Sequence, residues 1–137
     1  METMGKRKIL IVDDDHHFVA ALVTFLTGHG FEVLKAYDAT LALKFARKEP
    51  IDLITLDLGL PAGGGRFVLA NIRKFEKTAN LPVIVSTANV EEGIQKEIFG
   101  LGASDFIAKP YDLEVLLEKI QAFLAPQAPE APEVSNP

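Results

Sequence analysis

The sequence predicts a doubly wound α/β domain, a five-stranded parallel sheet with helices packed on both faces. Three observations predict it. Short β-rich apolar runs alternate five times with helical patterns along the chain, an order that leads to parallel strands joined by crossover helices. The runs are apolar without interruption, as strands covered on both faces are. Finally, 137 residues that are 48% hydrophobic and 24% charged suffice for one buried core, with roughly two thirds of the unfolded surface removed from water.

The first run is Lys8-Ile9-Leu10-Ile11-Val12, and Phe18, Val19, Leu22, Phe25 and Leu26 then recur at helical spacing until Gly28 and Gly30 stop them. Residues 31–36 read as the second strand and about 40–48 as the second helix, with Pro50 closing the connection. A third strand at 52–56 leads into a Gly/Pro loop at 59–65 and a helix carrying Val68, Leu69, Ile72 and Phe75. The fourth strand covers 82–86, a helix with a weaker apolar stripe follows at 91–99, and the fifth strand covers 104–108. Asp112 is placed to cap the last helix, whose buried stripe is Leu113, Leu116, Leu117, Ile120, Phe123 and Leu124. The folded unit is therefore expected at 6–125. Residues 1–5 are expected to be a disordered segment. Residues 126–137 hold four of the eight prolines and almost no large apolar side chain, which reads as a flexible tail or linker. There is no internal repeat.

Composition removes several function classes. With no cysteine, a disulfide scaffold, a thiolate zinc site and a cysteine nucleophile are excluded. A formal net charge of −5 argues against direct nucleic-acid binding by this domain. The apolar run at 9–12 is too short for a signal peptide or a membrane span, so the expected address is the cytoplasm and no membrane partner is expected.

Ligands of such sheets bind in the crevice outside the carboxyl ends of the strands. The first strand is followed there by Asp13, Asp14 and Asp15, the third by Asp57, the fourth by Thr87 and the fifth by Lys109-Pro110. Singly, each reads as a helix cap or a solvated loop residue. As a set they do not, because three or four carboxylates in one crevice repel one another unless a cation joins them. All-oxygen ligation with room for water suits Mg²⁺. A metal, the Lys109 ammonium and the Thr87 hydroxyl around one carboxylate suggest a site that stabilises a phosphoryl group on that carboxylate.

With these residues in place, the chain over about 7–124 resembles the receiver domains of two-component response regulators, most of all the single-domain chemotaxis type. The resemblance is carried by Ile9-Leu10-Ile11-Val12-Asp13-Asp14-Asp15, Asp52-Leu53-Ile54-Thr55-Leu56-Asp57-Leu58-Gly59-Leu60-Pro61, Leu81-Pro82-Val83-Ile84-Val85-Ser86-Thr87-Ala88 and Gly102-Ala103-Ser104-Asp105-Phe106-Ile107-Ala108-Lys109-Pro110. It implies a flavodoxin-like strand order 2-1-3-4-5 and a signalling domain rather than a dedicated enzyme. Asp57 would be the phosphoacceptor, supplied by a histidine kinase or phosphotransfer protein. Asp13, Asp14, Asp57 and the Gly59 carbonyl would hold Mg²⁺, and Lys109 would pair with the phosphoryl oxygens. Thr87 and Phe106 would form the switch pair, acting on a downstream partner or output domain through the face of the fourth helix, fifth strand and fifth helix. Gly59 and Asn89, each two positions past a motif residue, would flank the path of the water that removes the phosphoryl group. The Lys109–Pro110 bond is often cis in the family.

Asp15 matches no family role and reads as a helix cap; His16 and His17 read as solvated helix-start residues, and His29 as a turn residue. The sequence departs from the family pattern after Pro61, where Gly64 stands in place of an Asp, so the loop loses that side chain's turn hydrogen bonds. Phe106 carries no hydroxyl, so a switch through this ring works by packing. Three rival readings share the architecture: a degenerate receiver that only binds protein, a Mg²⁺-dependent aspartyl phosphatase using the Asp13-x-Asp15 spacing, and a flavodoxin-like redox module, whose flavin phosphate three carboxylates would repel.

Overall fold

The computed structural model describes residues 5–125. In chain order these form β1 (Lys8–Val12), α1 (His16–Gly28), β2 (Glu32–Ala36), α2 (Ala39–Lys48), β3 (Leu53–Asp57), a 3₁₀ turn (Pro61–Gly63), α3 (Gly64–Lys74), β4 (Val83–Thr87), α4 (Glu92–Gly100), β5 (Asp105–Ala108) and α5 (Leu113–Leu124). The predicted segments at 1–5 (but for Gly5) and 126–137 lie outside the described residues.

All five strands are parallel, in the order β2-β1-β3-β4-β5. The pleat explains why the runs are apolar throughout. Leu10 and Val12 of β1 point into one core with α2, α3 and α4, whereas Ile9 and Ile11 point into the other with α1 and α5. β3 and β4 are buried along their whole length. The edge strands differ from the expectation of burial on both faces: Glu32 and Lys35 of β2 and Ala108 of β5 are exposed, because an edge strand has a sheet neighbour on one side only.

The register decides where the strands end. Val12 pairs with Leu56, Asp57 with Ser86, and Thr87 with Ala108. Positions 13, 57, 87 and 109 therefore share one edge of the sheet, with Asp13 and Asp57 on neighbouring strands.

Four local expectations are corrected. The loop read at 59–65 is shorter, since Pro61–Gly63 makes a 3₁₀ turn and α3 starts at Gly64. Asp112 is at the N-cap of α5 but makes no side-chain capping hydrogen bond. Phe123 is 39% exposed rather than part of the buried stripe, and Phe75 lies just past α3, its ring 4.4 Å under the Arg47 guanidinium. Asp15, by contrast, caps α1 as read: its Oδ1 accepts the Phe18 N–H at 3.1 Å.

Arg73 ties the half of the molecule around β4 together. Its guanidinium donates to the carbonyls of Leu81 (2.7 Å), Gly102 (2.9 Å), Ala79 (3.2 Å) and Thr78 (3.3 Å), and to Ser104 Oγ at 3.3 Å. Ser104 Oγ in turn accepts the Val83 N–H. Burial pulls the Arg73 guanidinium below its ordinary pKa, and the carbonyls are what satisfy its donors. Arg73→Leu leaves several of these carbonyls without a partner and is expected to lower the unfolding free energy by about 2–4 kcal/mol. The exposed neighbour change Lys74→Ala should cost no more than about 0.5 kcal/mol; urea midpoints of the two variants check the difference.

Candidate functional site

The carboxyl edge of the sheet gathers the predicted residues. Carboxylate oxygens of Asp13, Asp14 and Asp57 lie within 4.8 Å of one another. Asp13 and Asp57 are buried and Asp14 is exposed, so the cluster has a wet side and a dry side. Lys109 Nζ donates to Asp13 Oδ2 at 2.8 Å and stands 3.6 Å from Asp57 Oδ1. The ammonium comes from a position 96 residues away in sequence, carried there by the end of β5. The Lys109–Pro110 bond is cis.

Backbone geometry fixes both buried acids. Asp13 Oδ1 accepts the Asp15 N–H at 3.0 Å, and Asp57 Oδ1 accepts the Gly59 N–H at 2.9 Å. Asp57 Oδ2 accepts no hydrogen bond from the described residues. Burial pushes the Asp57 carboxyl above the ordinary carboxylate range; the Gly59 N–H pulls back, and the Asp13 charge adds to the rise. Burial alone would lower Lys109, but the hydrogen bond to Asp13 and the charge of Asp57 outweigh it and hold the ammonium above its ordinary value. Behind Lys109 stands an aromatic wall. Its Nζ lies 5.1 Å from the centre of the Phe18 ring, which meets Tyr111 edge-on at 5.6 Å.

Thr87 is buried, and its hydroxyl accepts the Asn89 N–H at 3.0 Å. It is turned toward its own loop rather than toward Asp57. Phe106 is half-buried and packs edge-on against the Phe99 ring of α4 at 6.2 Å. Asn89 Oδ1 accepts the Glu91 N–H. The three histidines stay apart from the acids: His16 stacks on Tyr37, His17 is exposed, and His29 Nδ1 meets the Phe25 carbonyl.

A protein-family model for the response regulator receiver domain matches residues 9–121. The chain belongs to this family. RpaA of Synechocystis, a DNA-binding dual master transcriptional regulator, is 35% identical over 136 residues, covering 94% of this chain and 56% of its own. The regulatory protein VanRc of Enterococcus gallinarum is 40% identical over 110 residues, covering 80% and 46%. The chain thus spans about half the length of these two relatives. The chemotaxis response regulator CheY4 of Vibrio cholerae shares the fold with a TM-score of 0.82 at 28% identity, covering 87% of this chain and 99% of that one.

Several parts of the receiver's site were not read from the sequence. The Gly59 N–H contact, the Phe18–Tyr111 wall and the close approach at Gly65 carry no local signature. A Cβ on Gly65 would lie 2.7 Å from Asp57 O and Leu58 Cα, so only glycine lets α3 start against the end of β3. Phe18 was legible only as a core position. The donor set fits a hard divalent cation, since three clustered carboxylates offer oxygen alone and one of them faces solvent.

The acid cluster sets a sign for stability. An acid whose folded pKa is raised contributes stability below its unfolded pKa and loses it as pH rises through the folded value. Without divalent cation, Asp57→Asn should therefore melt a few degrees above wild type near pH 7, and the gap should close as pH falls toward about 4. Thermal melts in chelator across that range measure it.

Proposed function

We propose that this receiver accepts a phosphoryl group on Asp57 from a phosphohistidine of a histidine kinase or phosphotransfer protein. The observation that carries the proposal is the position of Asp57: buried at the end of β3, one oxygen held by the Gly59 N–H, beside Lys109 and two further acids. Oδ2, free of hydrogen bonds from the described residues, is the oxygen suited to attack. A P–O bond forms on it as the donor's P–N bond breaks, and the departing imidazole keeps the electron pair and takes up a proton. Asp13, Asp14, Asp57 and the Gly59 carbonyl would hold Mg²⁺, which supplies positive charge to the transferring phosphoryl oxygens. Lys109 supplies the second positive charge; to follow the new oxygens it loosens its 2.8 Å bond to Asp13.

The output runs through α4, β5 and α5. A phosphoryl group brings about −1.5 to −2 charge, and Thr87 answers it by withdrawing its O–H from the Asn89 carbonyl and turning toward Asp57. Phe106 then fills the space beneath α4. Phe99 and Val115 are 44% and 40% exposed on this face, which supports a protein partner or output domain as the reader rather than nucleic acid. Side-chain chemistry also favours a signalling role over a phosphatase: Asp15, the acid that a phosphatase would need, spends Oδ1 on the α1 cap. No helix among the described residues is long and apolar enough to cross a membrane, and we place the exchange in the cytoplasm on the family relationship.

Acetyl phosphate with Mg²⁺ should label wild type and leave Asp57→Asn unlabelled, because an amide does not attack phosphorus. Asp13→Asn should weaken Mg²⁺ binding by about tenfold and slow labelling with it; Mg²⁺ titration followed by Tyr111 fluorescence or amide shifts measures this. Wild-type labelling of Asp57→Asn would overturn the assignment. Thr87→Ala should keep most of the labelling but reduce the amide shifts of α4, β5 and α5 on adding beryllofluoride and Mg²⁺. Shifts of full wild-type size in that variant would remove Thr87 from the switch.

A further inference from the structure

The mouth of the site, on the side away from Asp13, contains a cation that the family motifs do not include. We infer that Arg66 is a positioning residue for the phosphoryl group: on phosphorylation its guanidinium leaves Glu97 of α4 for the phosphoryl oxygens on Asp57, and α4 loses a tether to α3. The inference rests on the reading of Asp57 as phosphoacceptor.

Three observations carry it. Arg66 belongs to the first turn of α3, directly after Gly65, where helix and strand end approach so closely that a Cβ has no room. The arginine thus starts beside the backbone of Asp57 and Leu58. Second, Arg66 lines a cavity of about 190 Å³ together with Leu58, Gly59, Thr87, Asn89 and Ile94. A Cβ on Gly59 would lie 3.3 Å from Asp57 Oδ1, so the missing side chain at 59 leaves that cavity open to the carboxylate. Third, the present partner of Arg66 is replaceable. Nε donates to Glu97 Oε2 at 2.6 Å and Nη2 to Glu97 Oε1 at 2.9 Å, fork to fork, with the two side chains 39% and 42% exposed.

A pair this exposed contributes little stability, because water screens it and two long side chains are held in one geometry. A phosphoryl group offers the same paired oxygens with more charge and in a drier place, and a guanidinium fork suits it well. The exchange also has a mechanical consequence. Ile98 is the one fully buried side chain of α4, so this helix is lightly anchored and even a weak pair such as Arg66–Glu97 is one of its few polar ties to α3.

Beryllofluoride with Mg²⁺ on the full chain tests the exchange, with the Arg66 Nε–H resonance and the backbone amides read by ¹⁵N NMR. The Arg66 Nε–H resonance should shift together with the amides of Asp57 and Thr87. Arg66→Gln should bind beryllofluoride on the order of fivefold more weakly, and Glu97→Gln, which frees the guanidinium, should bind it more tightly by a similar factor. Opposite signs are the signature, since a pair that merely braced α3 against α4 would give both variants the same sign. An unmoved Arg66 Nε–H resonance while the Asp57 and Thr87 amides shift would overturn the exchange and leave the phosphoacceptor reading standing. No shift at Asp57 at all would overturn both.

Discussion

Two carboxylates at the ends of neighbouring strands, with one lysine between them, set the terms for the rest of this edge. β1 and β3 are adjacent and in register at Val12 and Leu56, so Asp13 and Asp57 cannot avoid each other. Lys109 does not divide itself evenly. It bonds Asp13 at 2.8 Å and stands 3.6 Å from Asp57, which leaves the Asp57 charge only partly answered in a buried place. That imbalance works against stability and in favour of chemistry. A carboxylate fully paired with its lysine would be a poor nucleophile and a poor metal ligand, whereas an under-neutralised one attracts a cation and an electrophilic phosphorus.

The surrounding loops are shaped by nearness to that carboxylate. Gly65 is required because the α3 backbone meets the β3 backbone with no space for a side chain. Gly59 has a different part: its N–H is what holds Asp57 Oδ1, and its lack of a side chain keeps the crevice open. Ala62 at φ 58 and Gly63 at φ 72 turn the chain sharply enough to bring α3 down onto the strand end. The strain at Ala62 is thus part of the same closure.

The fold was legible because its signal is local. Each strand is a short apolar run, and each candidate site residue directly follows one, so placing the strands also placed Asp13, Asp57, Thr87 and Lys109. What escaped was set by tertiary contact. The glycines at 63–65 read as loop by composition, yet α3 begins among them because the packing at Gly65 outweighs weak helix propensity. Phe123 has the spacing of a buried residue but falls at the last turn of α5, where Leu124 and not Phe123 packs against the core. Arg66 and Arg73 carry no signal in the sequence: the partner of Arg66 lies 31 residues away on α4, and Arg73 joins carbonyls 5 to 8 residues on to Gly102 and Ser104, 29 and 31 residues away. A charge's partner across two helices leaves no periodicity to read.

The proposed switch is constrained by arithmetic. Moving a two-state element from one dominant placement to the other takes about 5.5 kcal/mol of differential interaction. One neutral hydrogen bond, such as the Thr87 hydroxyl could offer, contributes about 1 kcal/mol, and a charge-assisted one about 1.5–3 kcal/mol. The Thr87 hydroxyl alone is therefore too weak to throw α4. Either α4 begins with a small gap between placements, or several charged contacts change together. The structure favours a combination of the two. α4 is lightly held, by Ile98 in the core, the Phe99–Phe106 edge contact and the exposed Arg66–Glu97 pair. Around Asp57, meanwhile, two donors hold bonds that they can give up, the Lys109 ammonium to Asp13 and the Thr87 hydroxyl to the Asn89 carbonyl. A phosphoryl group that drew both at once would gain several kcal/mol. On the proposed reading its effect would fall on the helix with the fewest buried anchors, and that is α4 rather than the well-buried α3 or α5.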